Sequence, residues 1–277
     1  MKIKKLFPEY QYVFNPINMG FARACNLGIR FALQQGAEYI LLLNGDMIVT
    51  PNFLEPMIEF LEESEKAGIA SGKVLYWQEK SLLIYAGGNV QSWRGSVFIR
   101  GSRKRDINNR AKPYKTNFCA GEMLLIKRRI IEEAGFLPDE YFFGIEDWDF
   151  SVQVKRKGFE LYVVPTAIAY HETGASHDKL DVKYIYNYFR NKLIFQHKYL
   201  PKPMFWLWYL AFRIYIRYLY TVRYSKVYGD SISPDILVFA AEKALADQRG
   251  TTAIFEEDLI KFDTDLEEYK KQSQHLG

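Results

Sequence analysis

The amino-acid sequence predicts an α/β protein, a mainly parallel sheet flanked by helices, with a helical extension at its C-terminal end. Three observations carry that expectation. Strand-like and helical patterns alternate along the first part of the chain, the signature of βα units. The run Tyr39-Ile-Leu-Leu-Leu43 is continuously apolar, as in a strand covered on both faces, and stops abruptly at Asn44-Gly-Asp46. After about Phe195 aromatic residues crowd together at helical spacing, which divides the chain into residues 1–195 and 196–277. With 277 residues, 48% of them apolar and 25% charged, the chain can bury a sizeable core and is neither disordered nor of low complexity. Cys25 and Cys119 are its only cysteines, which excludes a disulfide scaffold and a cysteine zinc cluster and points to a reducing compartment. A net charge of +4 without a nucleic-acid signature leaves no case for nucleic acid as a partner.

In chain order, the basic start through Tyr10 lacks the apolar run of a signal peptide, and no apolar stretch reaches the ~18 residues that span a bilayer. Residues 10–14 are expected as a short strand. Phe21, Ala24, Gly28, Phe31 and Ala32 recur at helical spacing, with Gly36 placed to end that helix. Thr50-Pro51 is expected to open a second helix running to about Lys66, with Pro56 bending it or moving its start. Further strands are expected around 69–77, 82–85, 117–126, 160–164 and 167–170. Helices are expected over 128–134 and from the acidic loop after Phe136 to near Gly158. The basic segment Arg94 to Lys112 reads either as a solvated loop or as a contact for anionic lipid or phosphate. Pro203 to Tyr220 is apolar almost all round except for Arg213 and Arg217. Two arginines on one face disfavour spanning, leaving a helix that lies in a membrane interface or one buried against the first domain. The tail from Ser233 reads as a helical, increasingly acidic, solvated cap.

Three groups could carry chemistry. Asp46 follows a buried strand directly, at the carboxyl edge of the sheet, where open α/β sheets bind ligands; a carboxylate there suits a divalent cation, or simply a turn. Glu146-Asp-Trp-Asp149 sets acids among Tyr141, Phe142, Phe143 and Trp148. Desolvation and like-charge neighbours raise a carboxylate's pKa and make it a better proton acceptor near neutral pH; the plainer reading is acids that favour a helix N-terminus. His171 comes straight after a strand on the same expected edge, and with Asp46 it could complete a metal site, imidazole being acceptable to Mn2+.

Taken together, Asn18-Met-Gly-Phe-Ala-Arg-Ala-Cys-Asn-Leu-Gly28, Tyr39-Ile-Leu-Leu-Leu-Asn-Gly-Asp46, Cys119-Ala-Gly121, Gly144-Ile-Glu-Asp-Trp-Asp149, His171-Glu-Thr-Gly-Ala-Ser176 and Arg190-Asn191 resemble, in order and spacing, family 2 glycosyltransferases of the GT-A (Rossmann-like) fold. The rhamnosyltransferase-like branch is the nearest look-alike, and the resemblance covers about residues 5–200. It implies metal-dependent, inverting transfer of a sugar from a nucleotide-diphosphate sugar to a hydroxyl of a lipid-linked or polysaccharide acceptor. By resemblance Asp147 is the general base, Glu146 an acceptor ligand and Trp148 an apolar platform for the acceptor sugar. Asp46 and His171 are implied to hold Mg2+ or Mn2+ on the diphosphate, and Asn44 stands where the family more often has a second acid. Asn18, Gly20 and Arg23 fall beside the nucleotide, and Arg190 is placed to neutralise phosphate.

The family pattern begins with strands upstream of the point where this sequence starts, so the expected fold is N-terminally incomplete, through a gene-start error, a truncation or a split gene. A partner chain supplying those strands is therefore an expected partner, and a non-catalytic glycosyltransferase-like subunit or fragment is the alternative function. The expected location is cytoplasmic, peripheral on the inner face of the membrane.

Overall fold

A computed structural model describes residues 2–107, 111–172, 182–220, 232–247 and 253–274. Arg110 of the basic segment and Thr173 to Ser176 of the motif that begins at His171 lie outside the described residues. Helix α1 (Lys2–Leu6) precedes α2 (Phe21–Gln34), β1 (Tyr39–Leu43), β2 (Met47–Val49), α3 (Glu55–Glu63) and β3 (Ala67–Tyr76). Short strands β4 (Leu83–Tyr85), β5 (Gly88–Gln91), β6 (Ser96–Ile99) and β7 (Tyr114–Thr116) lead to β8 (Met123–Lys127), α4 (Arg128–Ala134), α5 (Glu146–Arg156) and β9 (Glu160–His171). Then come α6 (Val182–Tyr199), α7 (Lys202–Tyr215), continued by a π-helical turn over Ile216–Tyr220, α8 (Pro234–Asp247) and α9 (Glu256–Gln274).

The main sheet has the order β1-β8-β3-β9-β2, with β4 on β3 and β7 on β9. Among the described residues only β3 and β9 pair in parallel; β1–β8, β8–β3, β9–β2, β3–β4 and β7–β9 are antiparallel. The expected α/β sheet is present, but as a mixed sheet rather than a mainly parallel one. A continuous apolar run reports burial on both faces and says nothing about direction, and β8 is buried that way while running against both its neighbours. On one face Ile29 of α2, Ile130 and Ile131 of α4 and Phe150 and Val154 of α5 share a core with Ile69 and Ile126; on the other, Met57 and Leu61 of α3 pack with Ala70 and Leu125.

Local expectations largely hold, with instructive exceptions. Gly36, at φ 82°, ends α2 as a C′ glycine, its amide donating to the carbonyl of Leu33. Pro56 moves the start of α3 to Glu55, because in a first turn its missing N–H costs nothing. Residues 10–14 form no strand; Tyr10, Val13 and Phe14 are exposed and have no ladder to join. The strand expected over 117–126 shrinks to β8, and those expected over 160–164 and 167–170 fuse into β9. The basic segment is no simple solvated loop, since it contributes β6 of the β5–β6 hairpin and its acid, Asp106, pairs with the buried Lys73.

The C-terminal helices are more than a solvated cap. Leu237, Ala240, Ala241, Ala244, Phe262 and Leu266 share one core with Ile185, Phe189 and Phe195 of α6, and that core also holds Tyr141 and Ile145 from the acidic loop. The expected boundary at 195/196 lies inside α6, where buried Phe195 meets Trp148 edge-on at 6.2 Å. Helix α7 divides its faces: Phe205 and Phe212 are buried, while Met204, Trp206, Leu207, Leu210 and Ile214 are exposed. Among the described residues no helix is long and apolar enough to cross a membrane.

Candidate functional site

Strand registers bring three chain segments to one edge of the sheet. Because β8 runs against β1, its first residue, Met123, stands opposite Leu43, and the amide of Asn44 donates to the carbonyl of Glu122 at 3.1 Å. At the end of β9, His171 stands opposite Met47 of β2, directly after Asp46. His171 Nε2 therefore lies 3.0 Å from Asp46 Oδ2, and Nδ1 lies 3.2 Å from Glu122 Oε2. The second contact lacks the alignment of a full hydrogen bond, so charge does most of the holding there. Glu122 first, and Asp46 after it, push the imidazole up to about 9, while partial burial opposes them. At neutral pH this is an imidazolium between two carboxylates.

Among the described residues no three His, Cys, Asp or Glu side chains form a preset metal cage; the ring of His171 itself fills the space between the carboxylates. The donor chemistry nevertheless fits Mg2+ or Mn2+. Asp46, 43% exposed, is a hard oxygen ligand able to turn outward, and Glu122 beside Nδ1 leaves Nε2 as the ligating nitrogen. A carboxylate on the second ring nitrogen is how metal-bound histidines are oriented. A cation at Nε2 would take the place of its proton.

The acid pair is aimed by an unusual bend. Gly144, at φ 87°, is followed by Ile145 at φ 76°, a left-handed conformation uncommon for a β-branched residue and held by its burial in the C-terminal core. The first turn of α5 then sets Asp147 against Gly121, whose amide donates to Oδ2 at 3.2 Å, while the Trp148 amide donates to Oδ1 at 2.9 Å. Gly121 precedes Glu122, so Asp147 stands beside the imidazole cluster. Burial lifts the Asp147 carboxyl above the ordinary carboxylate range, and the two amides temper the rise. Glu146, 5% exposed, is lifted further, by burial first and then by the Asp147 charge, and its Oε2 has no hydrogen-bond partner. Both carboxyls of the pair are thus raised, chiefly by burial.

Asp149 turns away from this edge, as spacing demands, since residues two apart on a helix point to opposite sides. Fully buried, it accepts from Tyr141 Oη at 2.7 Å and Lys198 Nζ at 2.9 Å, and also from Tyr199, anchoring α5 to the end of α6.

The remaining expected site residues divide. Asn44 lies at the cluster through its backbone. Asn18 and Gly20 shape the start of α2: the Gly20 amide donates to Asn18 Oδ1 at 3.2 Å and the Phe21 amide to the Phe142 carbonyl at 2.9 Å, so these first amides are spent within the protein. Arg23 corrects the expectation of a nucleotide contact. Its Nη1 donates to the carbonyls of Met19 and Ile254, and its guanidinium lies over the Phe255 ring, tying α2 to the C-terminal segment. Arg190 corrects it more sharply: it is 0% exposed and paired with Asp258 at 3.0 Å, a core cation that no phosphate reaches. Trp148, expected as a sugar platform, is half-buried and spends its ring on packing between two core clusters. The residue that sequence reading missed is Glu122; an acid one place before an antiparallel strand was its signal, hidden while the sheet was expected to be parallel.

Residues 2–135 match the family described as glycosyl transferase family 2. The match covers just under half of the chain. Over 158 residues the chain is 24% identical to the dTDP-rhamnosyl transferase RfbF of Shigella flexneri, an alignment covering 57% of this chain and 50% of that protein. The chain thus spans about half the length of the curated relative it matches. Similar solved structures include GalNAc-T7 with UDP, GalNAc and Mn2+ (19% identity, 69% of this chain, 37% of that one, TM-score 0.49). Another is the mannosyltransferase PcManGT from Pyrobaculum calidifontis in complex with GDP-Man and Mn2+ (13% identity, 99% and 68%, TM-score 0.46).

Proposed function

We propose that this chain moves a sugar from a nucleotide-diphosphate donor to a hydroxyl of a glycan or lipid-linked acceptor, with inversion at the anomeric carbon. One observation carries the reading: Asp147, half-buried and with a raised pKa, is oriented by the amide of Gly121, the residue that precedes Glu122 of the imidazole cluster. A carboxylate held there takes the proton of the acceptor hydroxyl as that oxygen attacks from the face opposite the departing nucleotide. Glu146, buried and with Oε2 unpartnered, offers the acceptor a hydrogen-bonding carboxyl. Asp46 and His171 Nε2 would hold Mg2+ or Mn2+, with Glu122 orienting the ring; when bound, the cation offsets the charge on the leaving diphosphate.

Similarity to a dTDP-rhamnosyl transferase makes dTDP-rhamnose the first donor to assay. Nucleotide release from it in the presence of Mn2+ should fall about 10²- to 10⁴-fold in Asp147→Asn, and near-normal turnover would overturn the assignment.

A second reading rests on β1, which among the described residues has a strand neighbour, β8, on one side only. A partner chain pairing with that edge would make this a subunit that is silent alone. Thermal-shift titration with sugar nucleotides and Mn2+ separates the readings, a folded chain without any response favouring the partner. For location, the exposed strip Trp206, Leu207, Leu210 and Ile214 beside Arg213 supports peripheral attachment to an anionic membrane face. Flotation with anionic liposomes checks it, and protein left at the bottom at low salt counts against attachment.

A further inference from the structure

The β5–β6 hairpin and the turn that follows it have no part in the chemistry described above. Strand alternation divides the hairpin's faces: Val90, Val97 and Ile99 pack inward on the core around Tyr85 and Phe118, which leaves Phe98, opposite Asn89, on the outer face and 60% exposed. Trp93 stands 67% exposed in the connecting turn, where the amides of Arg94 and Gly95 both donate to the Gln91 carbonyl at 2.9 Å. Ile107, past the second turn, is 75% exposed.

Charge on this surface has one sign. Arg94, Arg100, Arg103, Lys104 and Arg105 are exposed, and among the described residues none of them pairs with an acid. Asp106, the one acid between Trp93 and Ile107, is turned inward onto the buried Lys73. The cations also project from a fixed base, since the Arg103 amide donates to the Leu83 carbonyl at 2.8 Å and the Leu83 amide to the Lys104 carbonyl at 2.9 Å, fastening the turn to β4. The hairpin tip adjoins α7 as well. A side chain on Gly95 would meet Gln196 Nε2 of α6 at 2.5 Å. The next residue, His197, meets Phe205 edge-on at 5.1 Å, and Phe205 meets Trp206, in the exposed strip of α7, at 5.4 Å.

We propose that the β5–β6 hairpin docks on an anionic phospholipid bilayer, Trp93 and Phe98 entering the headgroup boundary while the cations beside them lie on the lipid phosphates. The proposal extends the attachment reading given above from α7 to a second element at the same corner of the molecule. Aromatic rings suit headgroup depth, and anionic headgroups draw Lys and Arg held close to the surface. A soluble polyanion would answer the charge but leave Phe98, Ile107 and the strip of α7 in water; a bilayer covers them too.

The test is co-sedimentation of the full chain with sucrose-loaded vesicles of phosphatidylcholine, alone or with about 30% phosphatidylglycerol, at low salt. The unaltered chain should bind the mixed vesicles. Replacing Arg103 and Lys104 together by glutamine should lower its partition into them about 25-fold, roughly fivefold per cation, and Trp93→Ser and Phe98→Ser should each lower it about tenfold. All four positions are exposed, and unchanged melting temperatures certify the variants. Leu207→Ser combined with Leu210→Ser reads the share of α7 separately. Hairpin variants that bind like the unaltered chain overturn the proposal and leave attachment through α7 standing, whereas an unaltered chain that stays in the supernatant removes both. A loss confined to the Arg103 and Lys104 replacement, matched by an equal loss of heparin binding, also overturns the proposal, since the hairpin would then be a site for soluble polyanions.

Discussion

Replacing Gly20 with alanine adds one methyl group where the structure has no room for it. Gly20 sits at φ 82°, ψ 173°, a region essentially reserved for glycine, and a side chain there costs about 1–3 kcal/mol in backbone strain. The new Cβ would stand 2.2 Å from the carbonyl oxygen of Phe142, a backbone atom that cannot rotate aside. That oxygen accepts the Phe21 amide at 2.9 Å, so relieving the overlap sacrifices a hydrogen bond worth about 1 kcal/mol net. The sum is a loss of about 3 kcal/mol, or roughly 6–12 °C in melting temperature for a chain of this size. Gly28, in the middle of the same helix, is the control: a Cβ there meets nothing within 4 Å, and alanine is favoured over glycine by about 1 kcal/mol. Urea denaturation followed by circular dichroism should move the two midpoints in opposite directions. A Gly20→Ala loss below about 0.5 kcal/mol, or two shifts of the same sign, would refute the reasoning.

Three other outcomes follow from the site. A base must be ionised to accept a proton, and the raised Asp147 keeps its proton to higher pH than an ordinary carboxyl, so turnover should fall on acidification with its inflection above the usual ~4; an inflection at or below 4 in a pH–rate profile contradicts this. Since His171 is protonated up to about 9, Mn2+ competes with that proton and its affinity should rise with pH between 6 and 8, up to about tenfold per unit, as calorimetry can read; a flat profile removes Nε2 from the ligand set. Arg190→Met should cost about 2 kcal/mol by removing its charged hydrogen bonds yet leave the donor KM unchanged, whereas a raised KM at full stability would restore Arg190 to the phosphate site.

Much of the site was legible because its signals are local. An apolar run that breaks at a polar turn says that Asp46 stands at a strand end, and an acid pair after two aromatics and a glycine says that Glu146 and Asp147 open a helix; both statements need only neighbours in sequence. Arg190 shows the opposite case. Its place in the order of motifs suggested a phosphate contact, but its surroundings are set by Asp258, distant in the chain, and desolvation inside the C-terminal core decided its partner. Arg23 went the same way, drawn to the carbonyl of Ile254 and the ring of Phe255.

Residue types and spacing alone determined the helices α2, α4 and α5, the buried strands β1, β3 and β8, the carboxylates beside them and the histidine at the end of β9. Tertiary structure alone decided strand direction, and with it the arrival of Glu122 at the imidazole, because pairing partners are chosen by burial and register between segments far apart in the chain. It also decided that the C-terminal helices share a core with the acidic loop. Apolar faces find one another by area and shape, which a linear pattern does not encode.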